Sequence, residues 1–163
     1  MTASPTPIAD VLEKAAELEA LADRVDASGP DVCLAKDIFR AIHPDKVPHS
    51  VVLQGYGWHE DSAGWWLQTG EDQREPRKTI YPPNWLGSLD AALMLVPEGM
   101  IWMLTNSGLQ HATKPDFSKA SAVVDHWQST SPMRESAAAT PALALTAAAL
   151  RSAAALAREK GNG

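Results

Sequence analysis

The sequence predicts an α+β protein, an α-β-α sandwich whose mainly antiparallel sheet is covered by helices on both faces. Three observations lead there. Long stretches with apolar residues at three- and four-residue spacing flank the chain at both ends. Short runs of β-branched and aromatic residues between glycines fill the middle. Finally, MIWMLT and GWWL do not alternate apolar with polar residues, as a strand with one wet face would; a strand covered on both faces need not.

Taken in order, residues 1–7 hold small polar residues and two prolines, and are expected to form a flexible N-terminus. Residues 8–161 are expected to form one sandwich domain, a size that suits a chain of 163 residues. Ile8, Val11, Leu12, Ala15, Leu18, Ala22 and Val25 mark an amphipathic helix over 8–26, with Glu13, Glu17 and Asp23 making its outer face acidic. It is expected as a peripheral addition to the domain. Pro30 and Asp31 restart a helix that buries Val32, Ala35, Ile38, Phe39 and Ile42 and ends at Pro44, with Cys33 as core filler.

SVVLQ (50–54) and GWWLQT (64–69) read as strands, with GYGWHEDSAG between them as the turn region. In SLDAALMLV, Ser88 is the expected N-cap and Asp90 the second helical residue, where a carboxylate meets the positive end of the helix dipole. That role suffices for Asp90, and Glu98 reads as a turn residue. A hairpin is expected between MIWMLT (100–105) and LQHAT (109–113) across Asn106, Ser107 and Gly108, followed by a strand over 120–128. The last helix starts at Thr140 as N-cap and Pro141 as first residue, and ends with Arg158 and Lys160 in its final turn and Gly161 past the end.

Two of these segments resemble a family. SLDAALMLVPEG followed by Trp102, and TPALALTAAALR at 140–151, are similar to the phage ABA sandwich family, small proteins of tailed phages and prophages. ASGPDVCLAKDI, 27–38, resembles that family's opening segment, with Cys33 and Lys36 departing from it. The resemblance implies an α-β-α sandwich and a phage or prophage origin, hence residence in the host bacterial cytoplasm. It implies no activity. The first helix and the loop 70–87 lie outside the matching parts.

Composition narrows the function. A formal charge of −6 argues against direct nucleic-acid binding, which needs a basic stripe; Arg74, Arg77 and Lys78 are nearly cancelled by Glu71, Asp72 and Glu75. One cysteine excludes an intramolecular disulfide and a multi-thiolate zinc site. AAATPALALTAAAL is too short and too rich in alanine to cross a bilayer. His43, His49, His59, His111 and His126 show no metal-ligand spacing, so neither metal nor cofactor is expected. Ser62, His59 and Asp61 name a triad only in the sense that any loop does, and no catalytic residue is assigned.

The aromatic residues carry the functional expectation. Trp65 and Trp66 fit a sheet core, whereas Trp58 and Trp85 fall in predicted loops beside Tyr56 and Tyr81, where large aromatics anchor partners or stack on planar ligands. The expected protein is a phage accessory factor that binds a host or phage protein, antagonising a host defence complex. Two alternatives stand beside it. One is a nucleotide-binding protein, sponge or enzyme, in which Trp58, Trp85 and Tyr81 stack on a base and Arg74, Arg77 and Lys78 hold phosphate. The other is a self-associating structural component, a homo-oligomer.

Overall fold

The computed structural model describes residues 8–27, 29, 31–53, 55–68, 78–105, 119–126 and 135–162. It is an α+β chain with four α-helices and two three-stranded antiparallel sheets among those residues. Its contacts group into two compact units, Met1–Pro30 with Asn84–Gly163, and Asp31–Pro83.

The first unit is built around its last helix. Helix α4 (Pro141–Asn162) is alanine-rich, and from Ala142 to Leu150 every side chain is buried, all of them apolar except Thr146, whose hydroxyl is hydrogen-bonded. Thr140 opens it as the sequence predicts, its Oγ1 accepting the Leu143 N–H at 3.3 Å. Helix α1 (Ile8–Ala27) packs along α4 and buries Ala15, Leu18, Leu21, Ala22 and Val25. The two run antiparallel, because Gly161 lies beside Val11, Arg158 donates to Glu19 and Arg151 to Asp23 and Asp26. Gly161 is inside the helix rather than past its end. A Cβ there would come 3.1 Å from Val11 Cγ1, so the missing side chain lets the ends of α1 and α4 approach closely.

Strands β4 (Met100–Thr105), β5 (Ala120–His126) and β6 (Glu135–Ala138) form this unit's sheet in the order β4-β5-β6, with Thr105 opposite Ser121 and Ala120 opposite Ala138. The expected strand at 109–113 and the turn before it lie outside the described residues. Helix α4 packs against β5 and β6, and Ser152 Oγ donates to the Val124 carbonyl at 2.5 Å. The two-sided cover predicted for MIWMLT belongs instead to β5, whose residues 120–124 are all buried. β4 comes first in the strand order and barely touches α4, so Ile101, Trp102 and Met103 are exposed.

Helix α3 (Leu89–Leu93) starts where predicted: Ser88 Oγ accepts the Ala91 N–H at 3.4 Å, and Asp90 stands exposed in the first turn. It is shorter than the SLDAALMLV pattern suggests, because the chain turns from Met94 onward. No helix of the described residues is long and apolar enough to cross a membrane.

The second unit joins helix α2 (Val32–Ile42) to strands β1 (Gly57–Glu60), β2 (Trp65–Gln68) and β3 (Lys78–Ile80), paired in that order. Asp31 is the N-cap of α2 and accepts the Cys33 N–H at 2.9 Å. Pro30 lies outside the described residues. The buried face of α2 is Leu34, Ala35, Ile38, Phe39 and Ala41, turned away from Val32 and Cys33, which are both exposed. A short 3-10 turn (Pro44–Lys46) follows. The expected strand over 50–54 is replaced by β1, within what the sequence presents as turn. Residues 50–53 are irregular, and the Val52 N–H instead donates to the Trp58 carbonyl at 2.8 Å.

Candidate binding site

The second unit owes its shape to one tryptophan. Trp65 is 1 % exposed, and in register with Glu60 on one side and Ile80 on the other. Side chains of facing residues share a sheet face, so Trp58, Glu60, Trp65, Leu67, Lys78 and Ile80 form one face, while His59 and Trp66 belong to the other. Helix α2 supplies partners for the first face. The Phe39 ring centroid is 5.9 Å from that of Trp65, and Lys36 and Arg40 lie over the indole at 5.9 and 5.5 Å.

Those two cations are already committed. Lys36 Nζ is 2.7 Å from Glu60 Oε1 and donates to the Asp61 carbonyl at 2.7 Å; Arg40 Nη2 donates to the same Glu60 oxygen at 3.0 Å. The hydrogen bond from Lys36 holds the Glu60 carboxyl below the usual range against the opposing effect of burial, and the charges of Lys36 and Arg40 add to it. On the other face His59 stacks on Trp66 at 4.2 Å and its Nε2 lies 2.9 Å from the Gly55 carbonyl. His59 and Glu60 therefore point to opposite faces, and the His59, Glu60, Asp61 run gathers no ligand set.

The hairpin between β1 and β2 is closed by Asp61, whose Oδ1 accepts the N–H groups of Ala63 and Gly64 at 2.8 and 2.9 Å. Gly64 is required there, since a Cβ would fall 2.3 Å from the Ile80 carbonyl oxygen of β3. Ser62 is thus a residue of this tight turn.

On the Trp58 face lies a cavity of about 660 Å³, lined by Phe39 from α2, by the segment Asp45 to Ser50, and by Trp58, Lys78 and Ile80 from the sheet. Lys78 Nζ sits 5.8 Å from the Trp58 ring centroid. Burial, together with the nearby charge of Lys46, keeps the His43 imidazole below its usual value. Beside the cavity the Val52 N–H is bonded to the Trp58 carbonyl, and Val51, Leu53 and Tyr56 are exposed, Leu53 at 98 %.

Of the residues expected to bind, Trp58 and Lys78 meet in this cavity, with Trp58 half-buried in β1 rather than in a loop. Tyr56 and Tyr81 are exposed, at 58 % and 59 %. Trp85 is a correction: it is 2 % exposed in the other unit, where buried Thr146 donates its hydroxyl to the Trp85 carbonyl at 3.0 Å. Its loop packs inward because the chain leads directly into α3, which is itself packed on α4. Arg74 and Arg77 lie outside the described residues, as does His111, while His126 is exposed at the end of β5. Sequence reasoning passed over Asp45 and Lys46, which carry no motif, weighed His49 only as a metal ligand, and read Ser50 and Leu53 as strand residues.

No family model, curated protein or solved structure matches the chain. The likeness to the phage family therefore rests on the quoted segments.

Proposed function

We propose that this protein acts by contact rather than by chemistry: a phage- or prophage-encoded accessory protein of the host cytoplasm that binds a host protein and so antagonises a defence complex. The phage origin and the sandwich arrangement are drawn from the resemblance. The observation that carries the binding role is the exposure of Val51, Leu53 and Tyr56, next to Val52, whose N–H donates to the Trp58 carbonyl of β1. Large apolar side chains that already stand in solvent give up little on docking and gain the burial of their surface, which favours an interface. Tyrosine is also among the residues that anchor interfaces most often.

The test is capture from a bacterial host lysate with the intact chain as bait. Wild type is expected to retain a partner that a Leu53→Ser, Tyr56→Ala variant of unchanged melting temperature does not. Equal recovery by both, or recovery of nothing by wild type, overturns the reading.

A further inference from the structure

The cavity of the second unit has features that a protein-docking loop does not need. Its floor is an indole, Trp58, with a lysine ammonium over the ring, and Ile80 and Phe39 complete an apolar wall. Its rim brings a second lysine, Lys46, together with Asp45, His49 and Ser50. Lys36 and Arg40 are bound to Glu60, whereas among the described residues neither Lys46 nor Lys78 forms an ion pair. Two ammonium groups outside any ion pair among the described residues, one of them 5.8 Å from the Trp58 ring centroid, favour a ligand that is planar at one end and anionic at the other.

The volume, about 660 Å³, lies within the range of small-molecule sites and is large for a lone anion. The Asp45 carboxylate on the rim would repel a bare anion, but it can accept a hydrogen bond from a sugar hydroxyl or an exocyclic amine. His49 and Ser50 add further polar partners. Of the ligands that combine a flat ring, hydrogen-bond donors and a negative group, nucleotides match all three.

We infer that this cavity is a nucleotide site: a base stacks on Trp58, the phosphate is held between Lys46 and Lys78, and Asp45 takes a ribose or amino hydrogen. Base-on-indole stacking adds to the hold on the phosphate, so ring and phosphate are each necessary. The site is independent of the apolar loop, whose exposed side chains do not line the cavity.

The intact chain, labelled for the indole N–H signals of its tryptophans, is titrated with AMP, GMP, CMP and UMP, and separately with adenosine and inorganic phosphate. At least one monophosphate is expected to shift the Trp58 signal while leaving that of Trp65 in place, with adenosine and phosphate each binding about tenfold more weakly or less. Lys46→Gln and Lys78→Gln, both at exposed positions, are each expected to weaken binding by about tenfold, and Met94→Ala, at an exposed position of the other unit, to leave it unchanged. Three results overturn the inference: no monophosphate moves Trp58, inorganic phosphate binds as well as any nucleotide, or either lysine variant binds as wild type does.

Discussion

Single side chains set the pH and packing behaviour of each unit. Glu60 ionises more readily in the folded chain than in the unfolded one, because Lys36 and Arg40 favour its charged form. Its contribution is therefore present above about pH 4.5, the ordinary value, and is lost as pH falls through the lower folded value. Asp26 behaves oppositely: burial raises its value despite the hydrogen bond from Arg151, so its ionisation costs stability as pH rises through that raised value. Glu60→Gln is expected to flatten the loss of the native Trp65 signal on acidification, measured by NMR between neutral pH and the acid transition. In the other unit, Thr146→Val keeps the shape but removes the donor to the Trp85 carbonyl. It is expected to lower stability by about 1–3 kcal/mol, read from urea unfolding.

At the scale of elements, capping was legible and pairing was not. Asp31, Ser88 and Thr140 each accept an N–H from the first turn of the helix they open, a local interaction that the residue type announces. Strands β3 and β6, by contrast, escaped notice, because KTI is only three residues long and ESAA has no β-branched or aromatic residue. SVVLQ looked like a strand, and the chain instead paired GWHE with WWLQ, whose register buries Trp65. Helix α4 shows what alanine does in such a place. Ala144, Ala147 and Ala148 have no exposed surface, so there is no room for a larger side chain. Ala148→Leu is expected to cost about 1–3 kcal/mol, seen as a lower melting temperature.

For the molecule as a whole, the charge of −6 governs which partners can approach. Two arginines of the first unit face acids: Arg151 lies between Asp23 and Asp26, and Arg158 pairs with Glu19. Such paired cations offer no stripe to a phosphate backbone. Duplex DNA is accordingly expected to show no mobility shift at about 0.1 M salt, where charges beyond roughly 10 Å are screened. A single nucleotide needs only the local pair Lys46 and Lys78, so its binding is compatible with that result.

The sequence by itself determined what depends on near neighbours: the α+β class, the four helices and their starts, and the anionic surface. It also pointed to Trp58 and Lys78. Tertiary structure decided which aromatics reach solvent and which residues share a cavity. Trp58 and Trp85 sit in similar sequence surroundings, yet one lines an open cavity and the other is enclosed beneath Thr146. That outcome depends on surfaces contributed from far along the chain. Asp45, Lys46, His49 and Ser50 joined Lys78 for the same reason, since only sheet register and the turn after α2 bring them to one place.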